Sequence, residues 1–252
     1  MKFLGIIPAR YASTRFPGKP LADIGGKTMI QRVYEQVQDC LDETWVATDD
    51  ARIADAVRAF GGRVVMTSVH HRSGTDRCLE AAQKIGGNYQ VVINIQGDEP
   101  FIQKVQIQLL KDCFLNHSDT KLATLVKPFT SKDSLESLLN PNSPKVVLNM
   151  KGEALYFSRS VIPYLRGVDQ AKWLDKQLFY KHIGIYAYRM ETLTEIAALP
   201  QSPMEIAESL EQLRWLENGY RIQTATTDIE NLAVDTPEDL ERIKQYLLEK
   251  SV

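Results

Sequence analysis

The sequence predicts an α/β fold, built on a mostly parallel sheet with helices on both of its faces. Short apolar runs alternate with longer segments in which apolar residues recur at helical spacing. The run Val91–Ile95 is dominated by apolar residues, which is typical of a central parallel strand buried on both faces. Strands that alternate with helices form βαβ units, and a series of such units produces a largely parallel sheet.

The first half of the chain follows this alternation closely. Strands are expected at five short runs: Phe3–Ile7, Trp45–Thr48, Arg63–Thr67, Val91–Ile95 and Leu122–Val126. Helices between them are expected at Met29–Leu41, Ile53–Phe60, Thr75–Ile85 and Val105–Asn116. Asp49 and Asp50 stand just before the second helix, where they can cap its N-terminus.

The alternation breaks between about residues 140 and 189. A strand pair is expected there near Val146–Asn149 and Ala154–Phe157, followed by a polar stretch, Gly167–Gln177, and a returning strand, Ile183–Tyr188. A chain of 252 residues can bury one substantial core. We therefore predict a single domain over residues 1–252, with a small strand-containing subdomain inserted at about 140–189.

The last part of the chain returns to helices and a strand, expected at Ile206–Asn218, Arg221–Thr226 and Pro237–Glu249. Thr236 is placed to cap the final helix. In the helix Ile206–Asn218, helical spacing puts three apolar residues on the core face: Ile206, Leu210 and Leu213. A second stripe, of a kind that is usually solvated, contains Glu208, Glu211, Gln212 and Trp215.

Composition and charge narrow the possible function classes. A net charge of −2 and an isoelectric point near 6.1 give no reason to expect nucleic acid as a partner. No apolar run approaches the roughly 20 residues that cross a membrane. Cys40, Cys78 and Cys113 lie far apart and are interpreted as small apolar residues of a reducing compartment. The first strand begins too early to leave room for a signal peptide, so we expect a cytoplasmic protein.

A cationic loop follows the first predicted strand. It carries Arg10, Arg15 and Lys19 with two hydroxyls, Ser13 and Thr14. Such a group can form a cradle for a polyanion, although its spacing matches neither a Walker A loop nor a dinucleotide-binding loop. A solvated basic loop is the alternative. Because open α/β sheets bind ligands beyond the carboxyl ends of their strands, we favour a binding role.

Two acidic residues follow extended segments further along the chain. Asp98, in the segment Gln96–Pro100, can cap the next helix or act as a hard oxygen ligand for Mg²⁺. The helix is expected to begin several residues later, which favours the metal interpretation. Asp235 is the best second carboxylate, but it could equally support the N-terminus of the last helix electrostatically.

The segment His71–Arg77 also leads from a strand into a helix. Ser73 and Thr75 can cap that helix, and its free backbone N–H groups could bind an anion or the edge of a base. The pair His70 and His71 invites a metal interpretation, but adjacent side chains diverge. A surface or base-contacting role is therefore favoured over a metal site.

Three polar residues stand at strand edges or ends in and near the predicted insertion: Arg159, His182 and Tyr186. They could bind a sugar acid, or they could be ordinary strand decoration. The residues alone do not favour either interpretation.

Seven segments, in order along essentially the whole chain, closely resemble the 3-deoxy-manno-octulosonate cytidylyltransferase (CMP-Kdo synthetase) family. The matching segments are Pro8–Leu21, Ser73–Thr75, Gln96–Pro100, Tyr156–Arg159, His182–Tyr186, Glu211–Arg214 and Val234–Leu240. One departure is Asn231-Leu232-Ala233, where many members of the family are rich in glycine.

The resemblance implies a Rossmann-like sheet of the nucleotidyltransferase type. It also implies transfer of CMP from CTP to 3-deoxy-D-manno-octulosonate (Kdo) with release of pyrophosphate, a reaction of lipopolysaccharide biosynthesis. The alternative is a cytidylyltransferase that acts on 8-amino-Kdo or sialic acid. Mg²⁺ is the implied cofactor, CTP and Kdo are the implied partners, and a homodimer that uses the inserted strands is the implied assembly.

The resemblance also assigns roles to individual residues. The catalytic residues are expected to be Arg10, Lys19 and Asp98. The metal ligands are expected to be Asp98 and Asp235. The residues expected to bind CTP are Ala9, Arg10, Ser13, Lys19, Ser73 and Gly74. The residues expected to bind the sugar acid are Arg15, Arg77, Gln96, Arg159, His182, Tyr186, Glu211 and Gln212.

Overall fold

A computed structural model describes residues 1–12, 16–230 and 232–250. The chain divides into two compact units. Unit 1 is formed from the segments Met1–Gln108 and Asn231–Val252, and unit 2 from Leu109–Glu230. The single domain with an insertion at about 140–189 stays a prediction.

The strands in chain order are β1 Phe3–Ala9, β2 Glu43–Thr48, β3 Val64–Met66, β4 Val91–Asn94, β5 Leu122–Pro128, β6 Lys145–Leu148, β7 Ala154–Ser158, β8 Tyr180–Arg189 and β9 Ile222–Thr226. The α-helices are α1 Met29–Val37, α2 Ala51–Ala59, α3 Gly74–Ile85, α4 Lys104–Asn116, α5 Leu135–Leu139, α6 Trp173–Lys176, α7 Met190–Ala197, α8 Pro203–Glu208, α9 Gln212–Glu217 and α10 Pro237–Lys250. The α/β class expected from the sequence is confirmed.

Unit 1 contains a parallel sheet in which β1 is flanked by β2 and β4, and β2 pairs in turn with β3. Every residue of β4 is buried, as are all but one of β1. Their apolar runs are therefore buried on both faces of this sheet, as the sequence predicted. Because the strands are parallel, the loops that follow β1 and β4 leave from the same edge of the sheet.

The helices of unit 1 begin at residues whose side chains accept hydrogen bonds from the first turn. Thr28 accepts from the N–H of Gln31 at the start of α1, and Asp50 accepts from the N–H of Arg52 at the start of α2. The predicted capping role of Asp50 is thus confirmed. Each such contact pairs one backbone donor that the helix itself leaves unpaired.

Unit 2 contains a mixed sheet. Strand β5 runs antiparallel to β8 and parallel to β9, and β6 pairs antiparallel with both β7 and β8. The predicted strand pair in the 140–189 region corresponds to β6 and β7. The polar stretch within Gly167–Gln177 is anchored by Trp173, which is buried in a cluster with Phe129, Leu138 and Phe179.

The predicted helix Ile206–Asn218 is wrong as a single element. The Ser202–Glu205 capping box starts α8 at Pro203, and α8 ends at Glu208 because Ser209 takes a left-handed conformation with φ of 50°. The chain then restarts as α9, so the helical period does not continue across the break. As a result Ile206, expected in the core, is 63% exposed, while Trp215 of the expected solvated stripe is fully buried.

The cysteines agree with the expectation of reduced thiols. None of the three forms a disulfide among the described residues, Cys78 and Cys113 are buried, and burial raises the pKa of Cys113 to about 11. Across the part of the chain that the structure describes, no helix combines the length and apolar character that crossing a membrane requires.

Candidate active site

The loop after β1 carries the first group of predicted site residues. Ala9 ends β1 and Arg10 follows it with an exposed side chain. The Gly18 N–H donates to the carbonyl oxygen of Tyr11 at 2.9 Å, which closes the loop. Gly18 has a φ of 73°, a left-handed conformation that glycine adopts without steric cost. Lys19 then starts a short 3-10 helix, and Ser13, Thr14 and Arg15 lie outside the described residues.

The loop after β4 lies directly against the end of β1. A Cβ atom on Gly97 would stand 2.8 Å from the carbonyl oxygen of Pro8, closer than side chains are found to approach. Only glycine therefore fits at this position without a backbone shift. The Ile95 N–H also donates to the Ile6 carbonyl at 2.9 Å. These contacts hold the segment Gln96–Pro100, with Asp98, beside the cationic loop.

Lys19 joins the two carboxylates that the sequence proposes as metal ligands. Its Nζ lies 2.7 Å from Asp98 Oδ2 and 3.5 Å from Asp235 Oδ1. All three side chains are only partly exposed. Asp98 and Asp235 therefore converge on one point within unit 1, and a positive charge already occupies it.

Asp235 owes its position to contacts on both sides of it in the chain. The Val234 N–H donates to the Asp98 carbonyl at 3.0 Å, and the Val234 side chain is buried in a cluster with Ile24 and Met29. On the other side, Thr236 accepts from the Asp239 N–H, while the Asp239 carboxylate accepts from the N–H groups of Asp235 and Thr236. This reciprocal arrangement confirms Thr236 as the cap of α10.

The donor set fits Mg²⁺ bound together with a nucleotide. Magnesium in such sites takes one or two protein carboxylates and completes its shell with phosphate oxygens and water. Within the described ranges no cluster of three or more His, Cys, Asp or Glu side chains could hold a metal by itself. Two carboxylates at one point are the number that Mg²⁺ bound to a nucleotide takes from a protein.

A second feature of unit 1 is a small cavity of about 140 Å³. Residues of the β1 end and of the α3 start line it: Pro8, Ala9, Arg10, His71, Arg72, Ser73, Gly74 and Arg77. Ser73 caps α3 by accepting from the Asp76 N–H. An apolar cavity of about 150 Å³ holds one benzene-sized ring, so this space matches a single pyrimidine. It brings together Ala9, Arg10, Ser73 and Gly74, which were expected to bind CTP.

Arg77 and Gln96 were expected to bind the sugar acid, and both lie in unit 1. Arg77 is buried, and its guanidinium donates to Asp49 Oδ2 at 2.7 Å and Thr67 Oγ1 at 2.6 Å. Gln96 is half-buried in the turn before Asp98. Arg77 therefore supports the wall of the small cavity, and the sugar-acid role of both residues stays a prediction.

In unit 2, Arg159 is held by backbone carbonyls. Its three guanidinium nitrogens donate to the carbonyl oxygens of Glu208, Pro141 and Ser209 at 2.7, 3.0 and 3.3 Å. The fully buried Lys145 donates to the Arg159 carbonyl at 2.7 Å, and burial lowers the pKa of its ammonium group. The sequence pattern did not single out Lys145, because a lysine within a strand is normally exposed.

His182 and Tyr186 lie side by side on β8, with ring centroids 5.3 Å apart. His182 Nε2 is 3.0 Å from Thr124 Oγ1, which also contacts the carbonyl oxygens of Ile183 and Ile185. Burial lowers the pKa of His182 to about 3 and raises that of Tyr186 well above 10. Both rings are therefore uncharged near neutral pH.

Two of these unit 2 residues carry polar atoms that the fold leaves unpaired. The side chains of Tyr186 and Gln212 are buried, with 8% and 4% of their surface exposed. Among the residues described by the structure, the Tyr186 hydroxyl and Gln212 Nε2 have no hydrogen-bond partner. The Tyr186 ring packs edge-on against Trp215 at 5.0 Å. Glu211 accepts from Arg214 Nη2 at 2.7 Å. Buried donors without partners are costly, so each such atom requires an explanation.

Comparison with known proteins places the chain in a family. Residues 4–245 match the cytidylyltransferase family. The chain belongs to this family. A 3-deoxy-manno-octulosonate cytidylyltransferase from Parabacteroides distasonis is 66% identical over 98% of both chains, and one from Bacteroides thetaiotaomicron is 62% identical over 100% of both.

A solved cytidylyltransferase also superposes on the whole chain. It is a CMP:2-keto-3-deoxy-manno-octonic acid synthetase complexed with CTP, with a TM-score of 0.91 and 42% identity. The alignment covers 99% of this chain and 100% of the other. The family and the fold type expected from the sequence are thus confirmed.

Proposed function

We propose that the chain transfers CMP from CTP to Kdo, forming CMP-Kdo and pyrophosphate in lipopolysaccharide biosynthesis. The observation that carries the proposal is the full-length similarity to the Kdo cytidylyltransferases described above, one of which was solved with CTP. The convergence of Asp98 and Asp235 on Lys19 adds independent support, since nucleotidyl transfer requires both carboxylates and cations near the phosphates.

In the proposed reaction the anomeric hydroxyl oxygen of Kdo attacks the α-phosphorus of CTP. The new oxygen–phosphorus bond forms as the bond to the β-phosphate bridge breaks, and the hydroxyl proton passes to solvent. Both substrates are anions, so the chain must reduce their repulsion. Arg10 and Lys19 would bind the triphosphate and stabilise the departing pyrophosphate. Mg²⁺, held by Asp98 and Asp235, would supply charge neutralisation at the phosphate oxygens.

The neutral polar residues of unit 2 suit the second substrate. A sugar acid presents several hydroxyls, each of which can accept a hydrogen bond from an uncharged donor. The Tyr186 hydroxyl and Gln212 Nε2 offer two such donors, already desolvated and without a protein partner among the described residues. Binding a hydroxyl there would remove the cost of leaving these atoms unpaired. His182, Glu211 and Arg159 are proposed to complete the sugar-acid site.

Three further features belong to the proposal. Arg15, outside the described residues, is expected to face the sugar carboxylate. The protein is expected to form homodimers through the β6–β7 region. It is also expected to act in the cytoplasm, where CTP is available.

The experiment that tests the function is an assay of pyrophosphate release with a panel of substrates. CTP would be combined with Kdo, 8-amino-Kdo and sialic acid in turn, with and without added Mg²⁺. We expect release with Kdo that depends on Mg²⁺. A clear preference for 8-amino-Kdo or sialic acid would contradict the choice of acceptor, and full activity in the presence of a chelator would contradict the metal proposal.

A further inference from the structure

One side chain in the wall of the small cavity of unit 1 has no role in the function proposed above. His71 lines the cavity beside Ser73 and Gly74, and its Nε2 contacts Glu80 Oε2. Glu80, in the second turn of α3, is not among the residues that line the cavity. The carboxylate thus holds one nitrogen of the imidazole ring from outside the cavity lining.

Glu80 can only accept hydrogen bonds. Burial raises the pKa of Glu80, but the ammonium of Lys84, the N–H of Ser68 and the His71 ring outweigh it and lower the pKa to about 2. The Ser68 N–H donates at 2.8 Å and Lys84 Nζ lies 2.7 Å from the other oxygen. An ionised carboxylate has no proton to offer, so a hydrogen bond between Glu80 and His71 requires the proton on Nε2.

The proton on Nε2 determines what the other side of the ring can do. In the neutral imidazole one nitrogen is a donor and the other an acceptor, and a carboxylate partner fixes which is which. In a neutral ring with Nε2 as the donor, Nδ1 carries a lone pair and can accept a hydrogen bond, while the contact with Glu80 selects this tautomer.

The two common pyrimidines differ at the position that such an acceptor would recognise. Cytosine has an exocyclic amino group that donates, whereas the base with a carbonyl at that position only accepts. A fixed acceptor therefore forms a hydrogen bond with the amino group of cytosine and repels the carbonyl oxygen of uracil. We propose that His71 is a specificity-determining residue, which presents Nδ1 to the exocyclic amino group of cytosine and is positioned by Glu80. The base is that of CTP, so the proposal rests on the proposed function.

The test measures binding of CTP and of UTP by titration calorimetry, without any sugar. The selectivity ratio is the Kd for UTP divided by the Kd for CTP. We expect His71→Ala to reduce this ratio by about tenfold, because the hydrogen bond to cytosine and the repulsion of uracil are lost together. His71→Asn should keep the CTP affinity within about threefold, because its amide oxygen can stand near the place of Nδ1.

Two further variants separate positioning from a general structural effect. Glu80→Ala should lower the ratio in the wild-type background but not in the His71→Asn background, where no tautomer has to be selected. His70→Ala is the matched control, because His70 is the exposed neighbour of His71 and should leave the ratio unchanged. If a variant fails to fold in a melting experiment, the others decide the question.

The proposal is overturned if the ratio is the same in His71→Ala as in the wild type, which includes equal weakening of CTP and UTP binding. It is also overturned if the wild type binds neither nucleotide. A wild type that prefers CTP but releases no pyrophosphate with Kdo would contradict the proposed function alone. The two failures are therefore distinguishable.

Discussion

The candidate residues of the two units differ in charge and in burial. In unit 1 the side chains of Lys19, Asp98 and Asp235 are charged, partly exposed and paired with one another. In unit 2 the central side chains, His182 and Tyr186, are buried and uncharged. A triphosphate requires formal charges that stay hydrated until it binds, since burying them unpaired would be too costly. The hydroxyl groups of a sugar require only uncharged donors, and burying an uncharged donor in a protein core costs less than burying a charge.

This contrast predicts that substitutions in unit 1 will affect the chemical step, and that substitutions in unit 2 will affect sugar binding or the acid stability of the fold. The largest effect is expected for Asp98→Asn. Turnover should fall by about a thousandfold or more, because an amide does not replace an ionised ligand of a hard cation.

The Asp98→Asn variant should melt close to the wild type, since a partly exposed ion pair contributes at most about 1 kcal/mol. Asp55→Asn, at an exposed position on α2, is the matched control and should keep full activity. Activity of Asp98→Asn near that of the control would remove Asp98 from the proposed metal site.

Lys19→Ala is expected to have the next largest effect. Loss of its charge should cost about 2–4 kcal/mol of transition-state stabilisation, measured as kcat/KM for CTP under saturating Kdo. Lys27→Ala removes a surface ammonium that pairs with Glu35 in the same unit and serves as the control. If only the KM for Kdo rises, Lys19 belongs to sugar binding and the contrast between the units is wrong at this residue.

The buried imidazole of unit 2 predicts a pH effect on stability. The pKa of His182 falls from 6.5 to about 3 on folding, so between these values the unfolded chain binds a proton that the folded chain does not. Stability must therefore decrease as the pH is lowered through this window, by at most about 1.4 kcal/mol per pH unit for one proton.

Urea unfolding at several pH values between about 6.5 and 4 would measure this slope. His182→Gln should reduce it, whereas His117→Gln, at an exposed position, should leave it unchanged. Identical slopes in the wild type and His182→Gln would mean that His182 is not buried as a neutral ring in solution.

The smallest effect is expected for Tyr186→Phe. Its hydroxyl has no partner among the described residues, so the free energy of unfolding should stay the same or rise by up to about 1 kcal/mol. The KM for Kdo should rise by up to about tenfold while that for CTP does not change. Tyr220→Phe, which removes a hydroxyl bound to Glu195, is the control. A loss of stability without an effect on KM would assign the Tyr186 hydroxyl to the fold alone.

The sequence by itself was sufficient for the α/β class, the central strands and the cationic loop. These depend on local patterns: apolar runs that predict buried strands, and residues next to one another in the loop after β1. The capping roles of Asp50 and Thr236 were predictable for the same reason, because a cap acts within one turn of its own helix.

Only the tertiary structure decided which distant residues meet. The sequence left Asp235 open between a metal ligand and a helix support, and the contact of Val234 with Asp98 brings it to Lys19. The helix breaks at Ser209, and the new helix α9 buries Trp215 and Gln212. This break interrupts the helical period that the sequence pattern predicted. The contact of His71 with Glu80 likewise joins residues that lie apart in the sequence. The burial of a side chain and the partner that it contacts depend on residues that are close in space. A periodic sequence pattern predicts only which residues along one helix or strand share a face.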